Sequence, residues 1–340
     1  MNLRAAMVAV AGFSLCVGGC GRSGSDADNA GEVVIYTSID DPYVRPLVQR
    51  FERKTGIKVT LVADGEATKT AGLVEKILAE KGNPRADVYW GNEIFHTINL
   101  AGQGVFARYR SPVAEDVPAR WRDKNDLYVD MGLRARMIVV STRPEYRELV
   151  GRIKGLKDLA DPPLKGKIGI SHPGFGTASG QVAAWYVLLG DEKTNQLLRG
   201  LRANEVKLLG GNSAVVEQVA EGGLVAGLTD NDDVSNAKAE GQKIDGVVPD
   251  QDGDGTLMIP TTIALVKGGP NAENGKKLID FLMDPAVEKE LIAKRFLGYS
   301  VRTVGNQVKA MDVDYALVAG QMRSAVEKSL AILQDRTPAK

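Results

Sequence analysis

The run Thr229-Asp230-Asn231-Asp232-Asp233 places three carboxylates within four residues. Carboxylates gathered this way suit hard cations such as Ca²⁺, Mg²⁺ and Mn²⁺, and they can also hold an organic ammonium group. The plain alternative is helix capping, because Asp in a loop readily accepts backbone N–H bonds, and one of the three is expected to do so. A second segment, Ser171-His172-Pro173-Gly174-Phe175-Gly176-Thr177-Ala178-Ser179-Gly180, leads from an apolar run into a helical one. It departs from the G-x-G-x-x-G dinucleotide pattern. A helix start near Ser179-Gly180 would offer free N–H groups and a positive dipole end to an anion, and Asn212-Ser213 before the next helix could add to that cradle. An ordinary strand-to-helix turn is the competing reading. Asp250-Gln251-Asp252-Gly253-Asp254-Gly255 copies the first half of an EF-hand loop, but Thr261 stands where the bidentate Glu belongs, so the segment reads as a solvated turn.

Other chemistry is poorly supplied. The chain has two histidines, His96 and His172, no cysteine after Cys20 and no G-x-S-x-G. Neither a Cys nor a Ser triad is supported by that set, and His96 has no nearby Cys or His with which to hold zinc. A carboxylate-pair hydrolase stays open, since Asp and Glu are plentiful; it would need two carboxyls ~5–9.5 Å apart across a groove. Lys plus Arg number 43 and Asp plus Glu 43, so the formal net charge is zero and nothing points to nucleic acid.

These residues must be positioned by the surrounding elements. From Glu32 the sequence alternates short β-rich runs with helical stretches: Val33–Tyr36, Lys58–Val62 and Ala86–Trp90 read as strands, each followed by a polar loop and a helix. Asp41 is expected to cap a helix opened by Pro42, with Pro46 pushing the true start later. Met131–Ser141 is a further strand. The alternation then resumes with Lys167–Ser171, Val206–Leu209, Leu224–Leu228 and a long apolar strand at Leu257–Val266, before helices over Ala272–Met283 and Pro285–Phe296. Strand, loop and helix in repetition predict an α/β architecture with largely parallel sheets. Ligands in such folds sit at the carboxyl ends of strands, which makes Ser38, Asp40, Glu66, Thr68, Asn92, Glu93, Ser179, Gly180, Asn212, Ser213 and Asp230 the candidate contacts. Tyr36, Trp90 and His172 are possible cleft-lining residues.

The first residues address a compartment. Met1–Arg4 carries a positive charge, Ala5–Val17 is apolar but shorter than the ~20 residues a membrane span needs, and Val17-Gly18-Gly19 ends on Cys20. This reads as a signal peptide over 1–19, with Cys20 resembling the lipidated cysteine of a bacterial lipobox and 20–31 serving as a polar tether. Cys16 would leave with the signal, so the mature fold is expected to be stabilised by its core without an internal disulfide.

Tyr36-Thr37-Ser38, Phe51–Val59, Ala86-Asp87-Val88, Asn212–Val216 and Gly227-Leu228-Thr229, in that order, resemble type II periplasmic solute-binding proteins, closest to the ferric-iron-binding branch. The resemblance implies a two-lobed fold with an interlobe cleft, hinged near Met131–Ser141 and Leu257–Val266. Lobe 1 is then expected over 32–137 and 258–305, lobe 2 over 138–257, and a C-terminal helical segment over 306–340. It implies a monomeric, extracytoplasmic receptor anchored to a membrane only through lipid at Cys20. Such a receptor catalyses nothing and needs no cofactor. It delivers iron(III), or another metal cation with a bound anion, to an ABC permease and its ATPase. Members usually ligate iron with a His after the first strand, a Glu after the third and two adjacent Tyr in the second lobe. Here the corresponding positions hold Asp40, Asn92 or Glu93, and Asp232-Asp233. The expected metal set is therefore Asp40, Glu93, Asp232 and Asp233, with an organic anion such as a phosphorylated or phosphonate solute as the alternative cargo.

Overall fold

The computed structural model describes residues 31–63, 71–304 and 308–335. Its first unit is built from β1 (Glu32–Thr37), α1 (Asp41–Thr55), β2 (Lys58–Ala63), α2 (Ala71–Ala79), β3 (Val88–Gly91), α3 (Ile94–Gly102) and the short β4 (Phe106–Ala107). β1 pairs in parallel with β2 on one side and β3 on the other. In α1, Val44, Leu47, Val48 and Phe51 are buried, the spacing that puts one apolar stripe against a sheet. Gly56 ends the helix in a left-handed conformation, φ 73°, returning its N–H to the Glu52 carbonyl. The start differs from the sequence reading. Asp40 rather than Asp41 precedes the first turn, and Pro46 lies inside the helix. Burial of the stripe outweighs the hydrogen bond that Pro46 cannot make.

The chain then enters β5 (Val129–Ser141), which joins the two halves. Val129–Ala135 pairs antiparallel with β10 (Met258–Val266), and Arg136–Val140 pairs antiparallel with β8 (Ala226–Asp230). β5 therefore changes partner between Ala135 and Arg136. The second unit adds α4 (Arg147–Val150), β6 (Ile168–Ser171), α5 (Gly176–Ala203), β7 (Lys207–Leu209), α6 (Asn212–Glu221), α7 (Asn231–Ala239) and β9 (Ile244–Val247). β6 runs parallel to β7 and β8, and β9 lies on β5. After β10 come α8 (Ala272–Leu282), α9 (Pro285–Ala293) and α10 (Tyr315–Leu333). The strand order is β2-β1-β3-β10-β5-β8-β6-β7. The protein is a two-lobed α/β fold, with parallel pairing inside each lobe and antiparallel pairing at the crossing strands.

Each lobe buries an apolar layer on both faces of its sheet. In the first, Val33, Phe51, Trp90, Met131 and Leu278 share one cluster, and Tyr36, Ile77, Tyr89 and Phe106 another. The largest cluster of the second lobe, around Ile138, Ile168, Trp185 and Leu198, also takes in Phe95 from α3 and Val318 from α10. α10 packs along α5 and also against α3, so it touches both lobes. Among the described residues, no helix is long and apolar enough to cross a membrane.

Candidate functional site

Five strand-to-helix corners, β1–α1, β3–α3, β6–α5, β7–α6 and β8–α7, contribute residues where the lobes meet. At the end of β8, Asp230 is buried and extended, with φ −107° and ψ 158°, immediately before α7. It occupies the N-cap position, yet its oxygens accept from side chains. Arg136 Nη1 lies 2.6 Å away, the Thr177 hydroxyl 2.7 Å, Asn212 Nδ2 2.9 Å and Arg134 Nη1 3.3 Å. Burial works against its ionisation, but Arg136, Arg134 and Thr177 together outweigh it and hold the carboxyl below its ordinary range. Asp230 is thus the hub of a buried network in which both of its own oxygens are satisfied.

The next two carboxylates live differently. Asp232 Oδ2 accepts from Arg134 Nη1 at 3.3 Å, while its buried Oδ1 finds no hydrogen-bond partner among the described residues. Asp233 has a long contact of 3.4 Å from the Thr229 hydroxyl and a hydrogen bond with Ser213. Burial, then repulsion from Asp232 and Asp230, pushes its carboxyl up to about 8. Burial also raises Asp232, against the pull of Arg134. One oxygen from each of Asp230, Asp232 and Asp233 falls within 4.8 Å of the others. Three carboxylates thus share one corner with two guanidiniums.

In the facing lobe, Ser38 donates to Asn92 Oδ1 at 3.1 Å and accepts from the Asn92 N–H at 2.9 Å, tying the ends of β1 and β3 together. The Asn92 carbonyl accepts from Arg134 Nη2 at 3.0 Å, which joins that corner to the Asp cluster across the cleft. Glu93 is placed otherwise than the sequence reading expected. Its buried carboxylate caps α3, accepting from Phe95 N at 2.7 Å and His96 N at 3.1 Å, and it stands outside the group of converging oxygens. Asp40, half-buried before α1, is also outside that group. Glu66, Thr68 and Cys20 lie outside the described residues.

The cradle expected at Ser179-Gly180 is not at a helix start. α5 begins at Gly176, so both residues sit within its first turns and are buried. A side chain at Gly180 would meet the Phe95 ring at 2.0 Å, so this glycine serves the close approach of α3 to α5. Thr177 and Asn212 are the residues of these two segments that enter the polar network. The EF-hand-like turn is closed by protein groups: Asp250 accepts from Leu156 N, and Lys309 Nζ reaches the Gly253 carbonyl at 2.5 Å.

Sequence reasoning passed over Arg134 and Arg136. Both are buried in β5, at 6% and 0% exposure, where alternation puts positions two apart on one face. Two arginines so spaced inside a largely apolar strand were the available signal, since buried guanidiniums require counter-charges.

Residues 33–296 match the family model described as bacterial extracellular solute-binding protein. The chain belongs to that family. Among its relatives is iron uptake protein A1 of Synechocystis sp., 28% identical over 306 residues, covering 84% of this chain and 82% of the relative. A solved structure, the Bordetella ferric binding protein, superposes with a TM-score of 0.72 at 26% identity, over 88% of this chain and 98% of that one. The periplasmic binding protein AfuA of Actinobacillus pleuropneumoniae, solved with fructose-6-phosphate, gives 0.74 at 22% identity over 88% and 98%; that likeness speaks to fold. An extracytoplasmic solute-binding protein needs two lobes and a site between them. The corner at Asp230–Asp233 lies where the two lobes meet.

Proposed function

We propose that this protein captures a metal cation between its lobes, iron(III) being the leading candidate, and hands it to the permease and ATPase of an ABC importer without transforming it. One observation carries the reading: Asp232 and Asp233 are adjacent, half-buried and short of positive charge, with Asp233 raised to about 8 and Asp232 Oδ1 unpartnered among the described residues. Half-buried carboxylates in that state gain by exchanging a proton for a cation. Oxygen-rich sites favour hard ions, and the Synechocystis and Bordetella proteins, named for iron uptake and ferric binding, support iron. The carboxylates sit side by side at one helix start rather than across a groove, which suits ligation better than acid–base hydrolysis. Thr177, Asn212 and Asp230 position the corner; Asp232 and Asp233 are the proposed ligands, with Asp40 able to approach from the other lobe.

A second reading has its own support. Arg134 Nε and Arg136 Nε and Nη2 are buried donors with no partner among the described residues, which would suit the acidic group of an organic solute, and AfuA was solved with a sugar phosphate. Native mass spectrometry with elemental analysis, on protein purified from its own host, separates the two. Bound iron or another metal upholds the first reading; an organic mass without metal replaces it with the second. We also propose that lipid on Cys20 anchors the mature chain, the tether to residue 31 spanning roughly 18 Å. Membrane retention of a Cys20→Ser variant would refute the anchor.

A further inference from the structure

We propose that Arg134 decides which cations the receptor accepts, by standing between the lobes as a tethered positive charge that a solute must outcompete. The inference rests on the cation reading above and concerns a residue that reading does not use as a ligand.

The two buried arginines of β5 are held very differently. Arg136 stays within the second lobe's network: Nη1 lies 2.6 Å from Asp230 and 3.0 Å from both Thr177 and Asn212, while its Nε and Nη2 find no partner among the described residues. Arg134 reaches Asp230 and Asp232 at 3.3 Å each, its Nη2 crosses to the Asn92 carbonyl at 3.0 Å, and its Nε is buried with no partner among the described residues. Its backbone is fixed by the register of Arg134 with Ile259, just before β5 changes partner. The guanidinium is therefore anchored on the crossing strand, held to its carboxylates by longer contacts than Arg136 makes, and in contact with both lobes at once.

With Arg136 and Asp230 matched, Arg134 remains as the cation for Asp232 and Asp233. A monovalent ion entering there offers no more charge than the guanidinium already does, and it must also break the link to Asn92. An ion of charge two gains modestly, and one of charge three gains most, because Coulomb energy scales with the product of charges. Arg134 thus works as negative selection against common weak cations, and as a clasp that holds the lobes together until a stronger bridge replaces it.

The test uses the mature chain and the variants R134Q and R134K. Calorimetric titration with calcium chloride and with manganese chloride, metal alone, should show R134Q binding each at least roughly tenfold more tightly than the parent, a typical size for coupling between competing ligands. R134K, which keeps the charge, should stay near the parent. Small-angle scattering at low salt with no metal added should show a larger radius of gyration for both variants, since neither Gln nor Lys can hold the Asp cluster and the Asn92 carbonyl together. Weaker or unchanged divalent binding in R134Q, while a D232N/D233N double variant abolishes binding, would overturn the filter and leave the cation site standing. An unchanged radius of gyration in both variants would overturn the clasp. If R134Q does not fold, R134K decides: a compact R134K, or one that gains divalent affinity as R134Q was expected to, contradicts the proposal. If no chain binds any cation, the proposed function fails, and with it the filter, whatever the scattering shows.

Discussion

The corners β3–α3 and β8–α7 begin with the same device, an acidic residue at the mouth of a strand, and end with opposite chemistry. Glu93 stands at the N-cap of α3 with a side chain long enough to turn back onto Phe95 N and His96 N. Its charge is consumed by its own helix. Asp230 holds the equivalent place before α7, but β5 brings Arg136 to 2.6 Å and Thr177 lies at 2.7 Å, so the carboxylate turns outward into a tertiary network. Asp232 and Asp233, within the first turn of α7, are then left half-buried with too little positive charge. An acid after a strand is therefore not yet a ligand. What the neighbouring strand supplies decides whether it caps a helix, anchors a network or waits for a cation.

The comparison breaks hardest at Asp230. Replacing it with Asn would strand Arg136 in the core and should cost about 3–5 kcal/mol, the usual penalty for removing one partner of a buried ion pair; urea unfolding measures it. The double change Asp232→Asn with Asp233→Asn should act in the reverse sense. Without cation, thermal stability stays equal or rises, while calorimetry shows cation binding abolished. Retained affinity would remove these two residues from the site. Replacing Glu93 with Ala should cost only about 1 kcal/mol, the ordinary value of an N-cap, and leave cation affinity within about twofold, an outcome that would separate capping from ligation.

A pH series sharpens the contrast further. The folded state holds a proton on Asp233 up to about pH 8, whereas the unfolded chain releases it near its ordinary value of 3.8. Its contribution to stability is therefore fully present below about 3.8 and is lost as pH rises through about 8. Over the same interval cation affinity should climb, with proton release on binding. Asp233→Asn should flatten both trends; a variant that keeps the parent's slope would assign the proton elsewhere.

Much of the architecture was legible because it rests on local periodicity. The strands at Lys58–Ala63, Ile168–Ser171 and Met258–Val266 and the stripe of α1 repeat apolar residues at the spacing of their element. The site was legible only in part. The Asp230–Asp233 corner could be read as polar chemistry after a strand, but the division of labour within it could not. That division depends on Arg134 and Arg136, nearly a hundred residues away in sequence and brought alongside by the antiparallel pairing of Arg136 with Asp230. The Ser179-Gly180 reading failed for a related reason. That reading expected free N–H groups at a helix start, whereas α5 already begins at Gly176 and Phe95 from the other lobe packs against Gly180.

The C-terminal helix α10 lies along α5 of the second lobe and also meets α3 of the first, with Tyr315 6.1 Å from Phe95 between ring centres. Parting the lobes must slide or peel α3 from this apolar seam. Peeling exposes aromatic surface to water before any new contact replaces it, so it adds a barrier rather than a change in equilibrium alone. On the proposed reading, dwell time and affinity are set by different parts of the molecule: the Asp corner would govern how tightly a solute is held, and the seam how long the closed form lasts. A membrane partner that engaged α10 could shorten that lifetime without touching the bound solute.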